Sequence, residues 1–204
     1  MSAAQPSRPS LREERAEVTR RRIAEAARML FARDGYGATT LKMVASEAGV
    51  AVQTVYAVFG SKAGILEALR EGVVRQTDAE ASFRAALVEP LPDRRLELVA
   101  RSIRQRWEQG ADVIAIHSDA AQTDPAIRAQ VEAVLHRRRA GLAQLAETLA
   151  PHLAPHLDSP RSAAILDVLT LPEVWAELTV VHGWTPDEYE AWLARTLQEQ
   201  PLGR

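Results

Sequence analysis

Three polar side chains stand in an otherwise apolar stretch of this sequence, "GVAVQTVYAVFG" at residues 49–60. They are Gln53, Thr54 and Tyr56. A small surface that carries an amide and a hydroxyl can enter the major groove of DNA, which is about 12 Å wide, and form hydrogen bonds there. The residue types of this stretch therefore predict contact with DNA, provided that the chain holds these side chains on one exposed face.

The two lysines of the chain, Lys42 and Lys62, lie on either side of this stretch. Ammonium groups in these positions are suited to DNA phosphates. Residues 1–62 hold ten basic and six acidic side chains, a net charge of +4, whereas the rest of the chain carries −6. A basic front on an acidic body favours a polyanionic partner. Chance scatter of surface charge would give a similar balance and remains an alternative.

Residue type and periodicity disagree on the secondary structure of residues 52–58. Valine and aromatic residues favour a strand, but the apolar positions return every three or four residues, which indicates a helix. The periodicity predicts a short helix, with three side chains turned partly inward: Val55, Tyr56 and Phe59. Three others are expected to point outward: Gln53, Thr54 and Ala57.

Two further helices are predicted before this one. The apolar residues from Ile23 to Phe31 occupy one face of a helix over residues 12–33, and Gly35 follows as a stop. Thr40 is a suitable N-cap for a helix over residues 40–48. A tight turn at Gly49 then joins this helix to residues 52–58. The three helices form a helix-turn-helix unit, or, as the alternative, an ordinary helical hairpin within a core.

The rest of the chain also shows helical periodicity, so the predicted fold class is all-α. We expect a flexible arm at residues 1–11, a helix-turn-helix domain at 12–72 and a helical body at 73–204. In the body, Gly110 is expected to interrupt a helix, and one helix over residues 160–181 is expected to contain Pro172.

A helix that begins near Ser61 is expected to carry Ile65, Leu66 and Leu69 on its buried side. Gly64 and Gly72 lie within it, and a glycine costs about 1 kcal/mol relative to alanine in a helix interior. The two glycines either soften this helix or allow another part of the chain to approach it closely.

Residues 20–69 resemble the N-terminal domain of the TetR family of bacterial transcriptional regulators. The resemblance rests on the apolar pattern from Ile23 to Phe31, on "DGYGATT", "VASEAGV" and "TVYAVFGSK", and on the leucines that follow. It covers about fifty residues. Four positions depart from the family pattern, in which polar residues are frequent: Ala51, Ala57, Val58 and Gly64.

This resemblance implies roles for six residues. Thr40, Tyr56 and Lys62 would contact phosphates, and Gln53 and Thr54 would point towards bases. Lys42 and the arginines near the start of the first helix would support the backbone contacts. The resemblance also implies that the body binds a small molecule and forms a homodimer through its last two helices.

Polar or aromatic residues on apolar helix faces are candidates for a ligand cavity in the body. Four residues meet this description: Trp107, Ile114, His117 and Trp175. Structural core residues with no ligand remain the alternative. Apolar stripes at residues 166–178 and 189–193 are consistent with a dimer interface, or with packing inside one chain.

Several function classes find no support in the sequence. The chain has no cysteine, which excludes disulfides, cysteine-based zinc sites and a cysteine nucleophile. It shows no secretory signal and no apolar run long enough for a membrane helix, so we expect a cytoplasmic protein without membrane contact. His152 and His156 are four residues apart, but Pro151 and Pro155 disfavour a helix that could hold a metal between them. No cofactor and no catalytic motif are predicted.

Together these features predict a homodimeric regulator that binds a palindromic double-stranded DNA operator. We expect a repressor that an unknown small-molecule effector releases from the operator. A ligand-independent or activating regulator is the nearest variant. The alternative from another class is an all-α small-molecule-binding protein or enzyme whose helix-turn-helix is only scaffold.

Overall fold

A computed structural model describes residues 10–203, and these form two compact units that divide between Leu69 and Arg70. Helices account for the regular structure of the described residues, and no strand occurs among them. The α-helices, in chain order, are α1 (Leu11–Asp34), α2 (Leu41–Ala48), α3 (Val52–Phe59), α4 (Lys62–Gln76), α5 (Ala79–Val88), α6 (Pro92–Thr123), α7 (Pro125–Leu149), α8 (Ser159–Leu169), α9 (Pro172–Ala176) and α10 (Pro186–Leu202). The all-α prediction is confirmed.

The first helix begins with a capping box. The Ser10 hydroxyl accepts a hydrogen bond from the Glu13 amide, and the Glu13 carboxylate accepts one from the Ser10 amide. The helix ends at Gly35, whose φ of 86° suits a residue without a Cβ. Most of the arm expected at residues 1–11 lies outside the described residues, and its last two positions form the start of α1.

The first unit follows the predicted order of short helices. Thr40 caps α2, and Gly49 ends it in the left-handed conformation, with a φ of 63°. Each of the four helices contributes side chains that are almost fully buried: Ile23, Ala27 and Phe31 from α1, Val44 and Ala45 from α2, Val55 from α3, and Ile65 and Leu66 from α4. The short helices are therefore held by packing, because helices of eight residues are not stable alone in water.

The second unit is built around one buried cluster. The long helices α6 and α7 supply much of it, and α5, α8, α9 and α10 complete it. Its largest fully buried members are Leu96 of α6, Leu145 and Leu149 of α7, Leu166 of α8, and Tyr189, Leu193 and Leu197 of α10. Pro125 opens α7 and Asp124 caps it.

The predicted interruption at Gly110 is wrong, because α6 runs through that position without a break. Gly110 is buried, and a Cβ placed there would come within 2.6 Å of Cγ1 of Val73 in α4. The glycine is thus a site of close approach between two helices, which periodicity along one helix cannot reveal.

The predicted single helix over residues 160–181 is also wrong. The helix α8 ends at Leu169, Thr170 and Leu171 follow as a non-helical connection, and Pro172 is the first residue of α9. Proline lacks the N–H that a continuing helix would need, whereas the first turn of a helix leaves that donor unpaired in any case. A π-helical turn, Glu177–Val181, follows α9.

Candidate DNA-binding surface

The helix α3 presents one polar face to solvent. Gln53 and Ala57 are exposed, Thr54 is half-buried, and Val55 is fully buried. Tyr56 was expected to turn partly inward, but 55% of it is exposed, and that expectation is wrong. The reason is that Val55 alone occupies the centre of the buried face, and its neighbour is rotated by about 100° on a helix of 3.6 residues per turn. The exposed face therefore carries an amide and a phenol.

The start of α2 contributes the next exposed polar groups. The Thr40 hydroxyl accepts a hydrogen bond from the Met43 amide at 3.2 Å, which satisfies one free donor of the first turn. Lys42, in the first turn of the same helix, is exposed. This terminus thus carries a hydroxyl, unpaired backbone amides and an ammonium group.

Lys62 makes internal contacts that the sequence does not reveal. Its Nζ donates to the carbonyl oxygens of Tyr36 at 2.6 Å and Gly37 at 3.4 Å, and lies 4.3 Å from the centre of the Tyr36 ring. Burial lowers the pKa of the Lys62 ammonium. An ammonium has three donors, so one N–H remains for a phosphate beside the two that hold the turn between α1 and α2.

Two arginines of α1 also make contacts with the helices α2 and α3. Arg22 donates to the Ala48 carbonyl at 2.5 Å, at the end of α2, and Arg20 lies 4.7 Å from the centre of the Phe59 ring. A cation at a helix C-terminus stabilises the carbonyl groups that have no partner in the helix. These two side chains therefore help to hold α2 and α3 in place, and they also add positive charge to the surface.

Thr39 is a residue of this unit that sequence reasoning missed. It is buried, and its hydroxyl lies 2.9 Å from the Gly35 carbonyl and 3.3 Å from the Leu30 carbonyl. It thereby fixes the loop in front of Thr40. A threonine beside another threonine gives no sign of which one turns inward, because both are good loop residues.

Replacing Lys62 by methionine is expected to lower both stability and DNA affinity. The loss of the two carbonyl contacts and of the cation–π contact should destabilise the first unit by about 1 kcal/mol, given the partial exposure of the side chain. The salt dependence of DNA binding should fall by about one ion. Urea unfolding and titrations of DNA over a range of salt concentrations measure the two effects.

Lys42→Met is the matched control for this change. It removes an exposed lysine of the same surface, so we expect the same change in salt dependence with no change in stability. If Lys62→Met unfolds at the same urea concentration as the unmodified protein, the contacts with Tyr36 and Gly37 carry no weight in the fold.

Three of the four candidate pocket residues of the body come together. Trp107 and Trp175 belong to one buried hydrophobic cluster, and Ile114 packs against it. The Trp175 ring meets the Tyr189 ring edge-on, with centroids 4.8 Å apart. The His117 Nδ1 lies 2.9 Å from the Val113 carbonyl, one turn earlier in α6. His117 thus has the contacts of a core histidine, and the two tryptophans share one region.

The apolar stripes proposed for dimerisation are largely used inside the chain. Leu166, Tyr189 and Leu193 are fully buried in the second unit. Other apolar side chains of the same elements face solvent instead: Val168 in α8, and Val180 and Val181 in the π-helical turn. Val180 and Val181 thus expose apolar surface outside the two predicted stripes, whereas Val168 lies within the first of them.

Neither a metal site nor a membrane span is found within residues 10–203. No group of three or more His, Cys, Asp or Glu side chains in this range could hold a metal ion. No helix of the range is long and apolar enough to cross a membrane.

Residues 23–69 match a protein-family model described as "Bacterial regulatory proteins, tetR family". A curated relative, the uncharacterized HTH-type transcriptional regulator YvkB of Bacillus subtilis (strain 168), is 36% identical over 69 residues. That match covers 30% of this chain and 36% of the relative, so the chain spans about a third of that protein's length. Both of these similarities are in amino-acid sequence, and the match to the family model lies in the N-terminal part of the chain.

Solved structures resemble the chain over nearly its whole length. NalD, the secondary repressor of the MexAB-OprM multidrug efflux pump in Pseudomonas aeruginosa, has a TM-score of 0.68 at 21% identity and covers 93% of this chain and 98% of its own. A protein from Saccharomonospora viridis, solved in complex with choline, has a TM-score of 0.67 at 24% identity, with 92% and 100% covered. At these identities the likeness shows the fold.

Proposed function

We propose that the chain, whose residues 23–69 match the model of the tetR family of bacterial regulatory proteins, is a member of that family and a ligand-responsive regulator of transcription that binds operator DNA through its first unit. We further propose that it represses transcription and that an effector releases it from DNA. The family match covers the helices that carry the exposed polar face.

The observation that carries this proposal is the exposed face of α3. Val55 is fully buried and anchors the helix, while Gln53 and Tyr56 are left in solvent on a helix of only eight residues. A helix with so little polar surface gains nothing from exposing a large aromatic ring, unless a partner covers it. The flanking Lys42 and Lys62 supply positive charge for a phosphate backbone.

Each of the six residues has a distinct role in the proposed complex. Gln53 and Thr54 face the base edges in the major groove. Phosphate contacts come from four groups, which are the hydroxyls of Thr40 and Tyr56 and the ammonium groups of Lys42 and Lys62. The phosphate contacts set the register, and the amide of Gln53 carries most of the sequence preference, because Ala57 and Val58 extend no polar group.

A homodimer follows from the size of the recognition unit. One short helix contacts only a few base pairs, so a specific site requires two copies on half-sites related by a two-fold axis. The exposed Val168, Val180 and Val181 supply apolar surface for such an association. A palindromic operator is the corresponding DNA.

The effector is proposed to bind the second unit. It can release the protein from DNA only by binding more tightly to an arrangement of the dimer that does not fit the operator. A regulator that needs no ligand, or one that activates transcription, differs from this proposal in the effect of the ligand and shares the DNA contacts. An all-α binding protein or enzyme with a non-functional helix-turn-helix would lack those contacts altogether.

Binding to the DNA upstream of its own coding sequence tests the proposal. In a gel-shift titration we expect one complex, displaced by an excess of the same fragment and not by unrelated DNA of equal length. The affinity should fall by about three orders of magnitude between 50 and 200 mM salt if about six phosphates are contacted. Equal binding to both fragments, or none to either, would leave the helix-turn-helix as scaffold.

A further inference from the structure

The second unit contains a partly buried cation that forms no ion pair within residues 10–203. Arg106 lies on α6 and is only partly exposed, and its Nε is closed off from solvent and has no hydrogen-bond partner among these residues. A buried N–H without an acceptor is costly, and more so when it carries charge. Such an atom in a native fold is a sign of a partner that the chain itself does not supply.

Its neighbours do not neutralise it. Burial lowers the pKa of the Arg106 guanidinium, the charge of Arg138 lowers it further, and Glu80 acts in the opposite direction with the smallest effect. The Glu80 carboxylate forms an ion pair of its own with Arg84, at 3.1 Å. An arginine keeps its proton under all ordinary conditions, so it cannot avoid the cost by becoming neutral.

Arg138, by contrast, is fully engaged. Its guanidinium forms an ion pair with Asp167 and donates to the Thr170 hydroxyl at 2.7 Å. It also donates to the Asp167 carbonyl at 2.9 Å. These contacts fix Arg138 and use its charge, so Arg106 is the member of the pair that still requires an anion.

Four further side-chain atoms of the same unit are buried and have no hydrogen-bond partner within residues 10–203: Arg104 Nε, Trp107 Nε1, Ser162 Oγ and Tyr189 Oη. Arg104 differs from Arg106 because its charge is used in ion pairs with Glu108, Asp187 and Glu190. An indole N–H can only donate. Burial raises the pKa of Tyr189, so its hydroxyl keeps its proton and can donate too, and Arg138 opposes this shift. Trp107 and Tyr189 belong to one buried cluster, and the charge of Arg138 acts on Tyr189 as it does on Arg106.

From this excess of donors we infer that the second unit binds the carboxylate of a small organic acid, with Arg106 as its ion-pair partner. The inference rests on the proposed function and names the chemical class of its effector. Guanidinium and carboxylate match in geometry, since the planar fork can donate two parallel hydrogen bonds. Trp107 and Tyr189 are two further donors of the same unit without an acceptor.

The surroundings favour an acid with an apolar body. Trp107, Trp175 and Tyr189 bring three aromatic rings to one cluster, whose other members are aliphatic. Small-molecule sites commonly combine such walls with a few polar groups that orient the ligand. A hydrated inorganic anion has no apolar group to bury against these side chains.

Thermal unfolding of the full chain tests the inference with two pairs of probes, phenylacetate with phenylacetamide and octanoate with octanamide, at constant ionic strength. At about ten times its Kd, at least one acid should raise Tm by about 3 °C, and its amide should not. Arg106→Gln should abolish the rise. Arg101→Gln, which removes an exposed arginine of the same helix, should respond as the unmodified chain does.

Arg106→Lys provides a second variant if Arg106→Gln fails to fold. It keeps the charge and loses the planar fork, so the acid should bind at least tenfold more weakly. The inference is overturned if neither acid raises Tm, if the amides act as well as the acids, or if binding persists in both variants. A gel shift with operator DNA on the same preparation separates the two proposals. Binding to the operator without binding to either acid would contradict the inference about the ligand and leave the proposed function in place. A protein that binds no DNA would contradict the proposed function itself.

Discussion

Replacing Gly64 by alanine is expected to lower the free energy of unfolding by about 3 kcal/mol, at the upper end of what one added methyl group costs in a packed site. A Cβ at this position would clash with the carbonyl oxygen of Phe59 and would lie 3.2 Å from its carbonyl carbon. The obstacle is backbone, so no side-chain rotation can relieve it. The whole turn between α3 and α4 would have to open.

Gly72→Ala is the matched control, because it adds the same atom to the same helix. No heavy atom lies within 4 Å of a Cβ at that position. We therefore expect a gain of about 0.5–1 kcal/mol from the better helix propensity of alanine. Urea unfolding of both variants measures the difference. Similar urea midpoints for the two variants would show that the turn accommodates the methyl group. The two glycines would then soften α4 rather than allow another part of the chain to approach it closely.

Replacing Gln53 by alanine is expected to relax sequence specificity at one or two base pairs of each half-site, at a cost of about 1–3 kcal/mol in operator affinity. Gln53 is exposed on α3, and it is the side chain of that face with both an amide donor and an acceptor. Selection of binding sites from random DNA, followed by competition with unrelated fragments, measures preference and affinity separately.

Lys42→Met again serves as the control. An exposed ammonium binds phosphate whatever the sequence, so its loss should weaken binding to operator and unrelated DNA alike, with an unchanged consensus. If Gln53→Ala behaved like Lys42→Met and returned the same consensus as the unmodified protein, Gln53 would be a backbone contact, and the base preference would have to come from Thr54 or from DNA shape.

The sequence predicts the first unit well because α2 has a local signal at both ends and α3 ends at a glycine, Gly60. Thr40 caps α2, Gly49 ends it, and the spacing of the apolar residues of α3 outweighs their preference for strands. Tyr56 shows the limit of such a pattern. Periodicity can say that two neighbours lie near one face, but the depth of the core decides which of them is covered.

Features of the second unit depend on partners that are distant in sequence. Gly110 has the residue type of a helix stop, and only the approach of Val73 explains why the helix continues. Lys62 shows the same limit in the first unit, since its carbonyl partners Tyr36 and Gly37 lie about 25 residues earlier. Arg106 gives no signal at all in the sequence, because what distinguishes it is the lack of an acceptor in three dimensions.

The missing cap of α3 has a kinetic consequence. Ala51 offers no side-chain acceptor to the first turn, whereas Ser10, Thr40 and Ser61 each accept from an amide of α1, α2 or α4. A cap is worth about 1 kcal/mol, so the first turn of α3 opens about fivefold more often than a capped one would. In the proposed complex, contact with DNA would complete the ordering of this turn, and the ordering would be lost at each dissociation. We therefore expect a shorter residence time on the operator than a capped helix would give, and an occupancy that follows a change in effector concentration sooner.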